Sequence, residues 1–252
     1  MKRDQLERYL RKYLRLNEFD DSSLNGLQVE GADEISSVAF AVSACAEAFR
    51  KAAARNAGAL VVHHGLLWKG REPERATGPM AERLRLLIKN DISLFAYHLP
   101  LDAHEECGNN AVAARALGLS KLEPFGDYHA MKIGWKGVLK SPLRLDKFVA
   151  RLEKYYGHEA MVVKGGPETI RRAGIVSGGA AGEAVQAALE GLDLYVTGES
   201  SEPITYLARE SRLNFAALGH YATERVGVMA LAAHIKKKFA VETFFIELDN
   251  RA

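Results

Sequence analysis

The sequence predicts an α/β protein made of two similar lobes, and three observations lead to this fold class. Strand-type and helix-type segments alternate along the chain. Several of the strands are short and wholly apolar, such as Ala59-Leu60-Val61-Val62, which is typical of the buried strands of a parallel sheet. The order of elements in the first half also recurs in the second half, which indicates an internal duplication.

The first half contains strong periodic segments. Leu6, Leu10 and Tyr13 lie on one face of a predicted N-terminal helix, and Gly118 is a suitable stop for the last helix. In chain order we expect a helix through residues 6–13, an extended segment 27–29, a strand 38–42, a helix 46–55, a strand 59–62, a helix 79–89, a strand 93–97 and a helix 110–117.

The second half repeats this series. An amphipathic helix with Leu145, Phe148 and Leu152 on one face comes first, followed by segments that correspond to those of the first half. They are an extended segment 161–165, a strand 174–177, an alanine-rich helix, a strand 193–198 and a strand 214–218, with additional strands at 131–140 and 241–248. The predicted domains are therefore a first lobe, 1–125, and a second lobe, 126–252, with the C-terminal segment packing back on the first.

Composition excludes several classes of protein. The 252 residues include 34 Lys and Arg against 32 Asp and Glu, without a long basic block, so neither nucleic acid nor an anionic membrane is an expected partner. Two cysteines cannot build a disulfide framework. The N-terminal segment does not resemble a signal peptide, and no apolar run approaches the ~20 residues that span a bilayer. We therefore expect a cytoplasmic protein.

Polar residues with metal-binding chemistry follow the predicted strands, where the working side chains of open α/β sheets lie. His63 and His64 follow one strand, and the spacing His-x-x-x-acid occurs twice, at His98 to Asp102 and at His220 to Glu224. Imidazole and carboxylate together suit first-row divalent cations, including Zn, Fe, Mn and Ni. Any one such histidine is more often structural, but their joint occurrence favours a metal site over that interpretation.

Two ions held together would explain the pattern. Adjacent histidines on an extended segment point in opposite directions, and a carboxylate such as Glu224 has two oxygens with which to bridge two metals. A pair of ions roughly 3.5 to 4 Å apart polarises a water nucleophile, so a metal-dependent hydrolase is the sharpest hypothesis.

Other chemistry has weaker support. No Gly-x-Ser-x-Gly nucleophile motif occurs. The glycine-rich segment 176–182 can either cradle an anion or simply form a tight turn. Lys69 and Arg71 can offer positive charge to a phosphorylated substrate, or they can be exposed loop residues.

The sequence resembles the GTP cyclohydrolase I type 2 family, also called the Nif-three-like dinuclear metal proteins, over nearly its whole length. The resemblance rests on these motifs: Asn25-Gly26-Leu27-Gln28-Val29-Glu30-Gly31, Val61-Val62-His63-His64-Gly65-Leu66-Leu67-Trp68, Tyr97-His98-Leu99-Pro100-Leu101-Asp102, Thr197-Gly198-Glu199 and Gly219-His220-Tyr221-Ala222-Thr223-Glu224.

The resemblance implies a specific site and assembly. The residues that match the family's ligands to two metals are His63, His64, Asp102, His220 and Glu224, with Glu224 as the bridging carboxylate. It also implies a Nif-three-like fold, a toroidal homohexamer, and opening of the GTP imidazole ring by metal-activated water.

Three functions follow as alternatives. The leading one is a dinuclear metal-dependent hydrolase acting on a small molecule, with GTP as one candidate substrate and with His98 and Glu199 as groups that orient ligands or transfer protons. The second is a non-catalytic, metal-binding regulatory protein, and the third is a metal-dependent phosphoesterase. The ligand types leave the identity of the metal open.

Overall fold

A computed structural model describes residues 1–70 and 75–252 and confirms the α/β class. The chain divides into two compact units. One contains Met1–Leu101 and Val228–Asp249, and the other contains Asp102–Gly227 and Asn250–Ala252.

The described residues form helices and strands that alternate through most of the chain. The helices are α1 (Arg3–Tyr13), α2 (Ala46–Ala54), α3 (Gly78–Lys89), α4 (Leu99–Ala103), α5 (Asn109–Ala116), α6 (Leu145–Tyr156), α7 (Ala184–Leu189), α8 (Ile204–Glu210) and α9 (His220–Phe239). The strands are β1 (Gly26–Val29), β2 (Ser37–Ser43), β3 (Ala59–His64), β4 (Ser93–Ala96), β5 (Leu119–Tyr128), β6 (Met131–Arg144), β7 (Met161–Val163), β8 (Thr169–Ile175), β9 (Leu194–Thr197), β10 (Asn214–Ala217) and β11 (Glu242–Phe245). Short 3-10 helices occupy Leu16–Glu18 and Ala181–Glu183.

The first unit is built on a five-stranded sheet in the order β1-β4-β3-β2-β11. Strand β1 is antiparallel to β4, and the remaining neighbours are parallel. As parallel strands require crossover connections, α2 lies between β2 and β3 in the chain and α3 lies between β3 and β4. The central strand β3 is buried almost to its end, which places His63 and His64 at the carboxyl edge of a rigid sheet.

The second unit has a six-stranded sheet in the order β5-β6-β8-β9-β10-β7. Strands β8, β9 and β10 are parallel, and β7 is antiparallel to β10. One apolar core packs against this sheet and includes Phe148 and Leu152 from α6, Ile170 from β8 and Val196 from β9. Helix α6 has the apolar face that the sequence predicts, and Gly157 ends it in the left-handed conformation.

The two sheets share one strand order. The series β1-β4-β3-β2 in the first unit corresponds to β7-β10-β9-β8 in the second, each with an antiparallel strand beside three parallel ones. This correspondence is consistent with the internal duplication that the sequence indicates. It also makes the segments after β3 and β4 equivalent to those after β9 and β10.

Within the described ranges 1–70 and 75–252, we find no helix with both the length and the apolar character to cross a bilayer. The longest helix, α9, carries Lys236, Lys237 and Lys238 in its last turn.

Candidate metal centre

His63 and His64 lie at the end of β3 with their rings fixed by hydrogen bonds. His63 is fully buried, and its Nδ1 lies 3.0 Å from the carbonyl oxygen of Tyr97. Because a carbonyl only accepts, Nδ1 carries the proton and the lone pair of the neutral ring is at Nε2. His64 Nδ1 lies 3.2 Å from Ser43 Oγ on the adjacent strand β2.

His98 joins these two histidines. It follows β4, the parallel neighbour of β3, and its backbone N–H donates to Asn25 Oδ1 over 2.8 Å. One ring nitrogen from each of His63, His64 and His98 lies within 4.8 Å of the other two. The structure therefore places His98, which was noted for its spacing to Asp102 and expected to orient ligands or transfer protons, in the same cluster as the double histidine.

Asp21 orients His98 and was not identified from the sequence. Its Oδ1 lies 2.9 Å from His98 Nδ1, which must carry a proton, so the ring's lone pair is again at Nε2. The other oxygen accepts the backbone N–H of Leu99 and the side-chain amide of Asn25. Burial raises the pKa of Asp21, but hydrogen bonds and charge from His98, with further hydrogen bonds from Asn25 and Ser23, lower it to about 2.

A second set of ligand-type side chains lies in the second unit. His220 begins α9 directly after β10, its Nδ1 lies 2.6 Å from Glu199 Oε1, and its Nε2 lies 3.0 Å from Glu224 Oε1. Burial by itself lowers the pKa of His220, but the hydrogen bonds and charges of Glu224 and then Glu199 raise it to about 9. A cation at Nε2 would compete with the proton there, so metal binding at this histidine depends on pH.

The glycine-rich loop packs against these carboxylates. Gly178 has φ +70°, and a Cβ at this position would lie 2.3 Å from Glu224 Oε1. Its carbonyl accepts the backbone N–H groups of Gly198 and Glu199. Glycine is required here for conformation and close approach, which favours the tight-turn interpretation. Two carboxylates beside the loop disfavour the alternative that it cradles an anion.

Asp102 belongs to a buried hydrogen-bond network in the second unit. Its Oδ1 accepts from Asn109 Nδ2 over 2.8 Å and from Ser177 Oγ over 3.0 Å. Asn110 fixes the backbone of Ser177 by accepting its N–H over 2.7 Å. This network sets the orientation of the Asp102 carboxylate. Sequence reasoning did not identify the residues that orient Asp102, which are Ser177, Asn109 and Asn110.

The donor sets fit divalent first-row metals. The three-imidazole cluster has two rings whose lone pairs are fixed at Nε2, and His220 stands between two carboxylates. Neutral imidazole and carboxylate oriented by outer hydrogen bonds are the usual ligands of zinc, iron, manganese and nickel. The residues present are therefore suited to hold metal.

Lys69, one of the two basic residues considered for phosphate recognition, has little structural support for that role. Lys69 is exposed, and its Nζ lies 3.9 Å from Asp20 Oδ1. Arg71 lies outside the described residues.

Fold and site together define an α/β protein with histidine and carboxylate clusters of the kind that bind divalent metal ions. A sequence model of the Duf34/NIF3 (NGG1p interacting factor 3) family matches residues 1–251. The chain belongs to this family, and the resemblance found in the sequence is confirmed.

Several relatives match the chain over nearly its whole length. A Deinococcus radiodurans protein named GTP cyclohydrolase 1 type 2 homolog is 45% identical, with 97% of this chain and 92% of the relative covered. A Pyrococcus abyssi protein of the same name is 41% identical, with 98% of each chain covered. The crystal structure of TTHA1606 from Thermus thermophilus is 39% identical with a TM-score of 0.93 and covers 100% of both chains.

Proposed function

We propose that this protein is a dinuclear metal-dependent hydrolase of the GTP cyclohydrolase 1 type 2 kind. Two divalent ions would be held by His63, His64, Asp102, His220 and Glu224, with Glu224 as the bridging carboxylate. The observation that supports this most strongly is the clustering of His63, His64 and His98 within 4.8 Å, with hydrogen bonds that fix the lone pairs of two of these rings at Nε2.

When bound, the metal ions would supply Lewis acidity that polarises the substrate and lowers the pKa of water. The chain's own groups would orient ligands and move protons. Asp21 keeps the proton of His98 on Nδ1, so the Nε2 lone pair of His98 is suited to accept a proton from water. Glu199 holds His220 in its orientation and is half exposed, so it can pass protons to solvent.

The names of the relatives make GTP the first substrate to test, and other phosphorylated small molecules come next. A cytoplasmic location and a toroidal homohexamer are further parts of this proposal. Analytical ultracentrifugation of the metal-loaded protein should give six times the chain mass of 27.7 kDa. A monomer or dimer at micromolar concentration would contradict the assembly but not the chemistry.

The decisive experiment replaces Glu224 by Gln. The side chain keeps its size but loses its charge, so we expect metal affinity to fall by more than the ~10- to 100-fold typical of losing an outer hydrogen-bond partner, and turnover to disappear. Elemental analysis measures the metal content, and assays with GTP and a panel of phosphoesters measure turnover. Glu202→Gln, at an exposed position, is the matched control.

Each outcome separates the alternatives. Turnover of GTP supports the cyclohydrolase, and turnover of simple phosphoesters alone supports a phosphoesterase. Full metal content without turnover of any substrate would support the non-catalytic metal-binding protein. Wild-type metal content and activity in Glu224→Gln would remove Glu224 from the site.

A further inference from the structure

Trp68 lies beside the three-histidine cluster and has no role in the function proposed above. Its ring centroid lies 5.1 Å from that of His98, with the two rings nearly perpendicular, and 6.3 Å from that of His64. The indole is half-buried rather than enclosed in the core. A large aromatic side chain is thus held next to the imidazoles where substrate chemistry is proposed.

The indole is held rigidly. Its Nε1 donates to the carbonyl oxygen of Gly65 over 3.0 Å, which fixes the plane of the ring. The following residue, Lys69, donates its backbone N–H to Ser22, and the preceding residue, Leu67, accepts the backbone N–H of Leu24. The chain on both sides of Trp68 is therefore anchored to segment 22–24.

Gln28 also fixes the segment that precedes Trp68. Its Oε1 accepts the backbone N–H groups of Leu66 and Leu67, and its amide donates to the carbonyl of Leu67 over 3.0 Å. Gly65 permits this arrangement, because a Cβ there would lie 2.4 Å from Gln28 Oε1. Several side-chain hydrogen bonds thus hold a half-buried indole in one position.

We infer that Trp68 is a stacking platform for a planar heteroaromatic ring, such as a purine base, on the substrate of this site. A rigid aromatic group gains stacking energy without first losing conformational entropy, and indole offers the largest π face among side chains. Stacking recognises any base by its face, which explains how a ring can be selected without a distinctive hydrogen-bonding motif. This inference rests on the proposed function, because it places the substrate ring beside the proposed metal ligands.

The chain allows a direct optical test. It has two tryptophans, and the second, Trp135, donates to Ala103 on the second unit's own backbone. Trp135→Phe therefore leaves Trp68 as the single tryptophan fluorophore. This variant, with zinc held constant, is titrated with guanosine, GMP and GTP, and separately with ribose 5-phosphate and pyrophosphate, which lack a base.

We expect the three base-containing ligands to quench Trp68 with saturation and the two base-free ligands to leave it unchanged. In equilibrium dialysis with radiolabelled GTP, Trp68→Leu should bind about 10-fold more weakly than wild type, whereas Trp68→Phe should stay within about 3-fold. The zinc content of both variants, measured by elemental analysis, should equal that of wild type.

Three results would overturn the inference. They are equal quenching by the base-free ligands, undiminished GTP binding by Trp68→Leu, and loss of zinc from Trp68→Phe. The last of these would show that the indole supports the imidazoles instead of binding the substrate. These results are distinguishable from failure of the proposed function. Metal-dependent turnover of GTP with the same KM in Trp68→Leu as in wild type would preserve the hydrolase and reject the stacking role. Saturable quenching of Trp68 by GTP without turnover of any substrate would support the stacking role and reject the hydrolase.

Discussion

Gly178 shows how the absence of one side chain shapes the pair formed by His220 and Glu224. Its backbone is left-handed, its N–H donates to Thr223 Oγ1 over 3.0 Å, and its Cα faces the Glu224 carboxylate. Neither the conformation nor the space tolerates a Cβ. The loop therefore sets where the Glu224 carboxylate can lie.

Gly178→Ala tests this restriction. We expect the free energy of unfolding to fall by about 1–3 kcal/mol because alanine is strained at this φ, and zinc content to fall because Glu224 is displaced. Urea unfolding and elemental analysis provide the measurements. Gly182→Ala is the matched control in the same loop, since a Cβ there meets nothing within 4 Å. Full zinc content in Gly178→Ala would show that Glu224 adjusts without loss of binding.

Asp21 provides a second test at the residue scale. Asp21→Asn places an amide NH₂ among hydrogen-bond donors, so at least one of its contacts to His98, Leu99 or Asn25 is lost. We expect zinc affinity to fall by ~10- to 100-fold and stability by about 1–3 kcal/mol. Equilibrium dialysis and urea unfolding measure the two effects.

Asp20→Asn is the control for Asp21→Asn, because the Asp20 side chain is 95% exposed and adjacent in sequence. Unchanged zinc affinity in Asp21→Asn would show that His98 needs no carboxylate to orient it.

The sequence predicted residues with metal-binding chemistry and named Glu199, which contacts His220, as an orienting group, but it did not identify Asp21 or Ser177. His98 and His220 stand out because each follows a predicted buried strand and the spacing to an acid recurs. Asp21 lies 77 residues from His98, and Ser177 lies 75 residues from Asp102. Such partners meet only through tertiary structure, so no local spacing reveals them.

At the scale of elements, β11 completes the first sheet by pairing in parallel with β2. Phe244 on this strand is 8% exposed, and the Arg55 guanidinium lies 3.5 Å from its ring centroid. A cation over an aromatic face adds to the gain from burying the ring. Strand β11 is thus attached to the unit by packing as well as by backbone hydrogen bonds.

Phe244→Ala should lower the free energy of unfolding by about 3 kcal/mol, because it removes a buried ring and leaves a cavity. Thermal and urea unfolding followed by circular dichroism would measure the loss. Glu242→Ala on the same strand should change stability by less than about 0.5 kcal/mol, since it removes only an exposed ion pair to Arg55. Equal effects of the two substitutions would mean that β11 contributes little through its apolar face.

Sequence reasoning located the buried elements well and the exposed ones poorly. The apolar runs at β2, β3 and β4 predicted these strands to within two residues at each end. Strand β5 was not predicted, because it lies at the sheet edge and most of its residues are exposed or half-buried. Without a buried face, an edge strand carries no alternating pattern from which to identify it.

At the scale of the whole molecule, the α/β class and the repeated order of elements were predictable from the sequence. The recurrence of segments in the sequence corresponds to the shared strand order of the two sheets. The division of the chain into two units depends on β11, whose partner β2 lies about 200 residues earlier in the chain. The apolar run 241–248 identifies β11 as a strand, but tertiary structure rather than local periodicity decides which strand it pairs with.

The assignment of Val228–Asp249 to the first unit has a consequence for protein synthesis. A ribosome that has translated residues 1–101 has made four of the five strands of that sheet, and the edge of β2 stays uncovered while the second unit is produced. Unpaired strand edges promote aggregation of nascent chains. The edge of β2 is therefore open to pairing with other chains until β11 has been translated and has covered it.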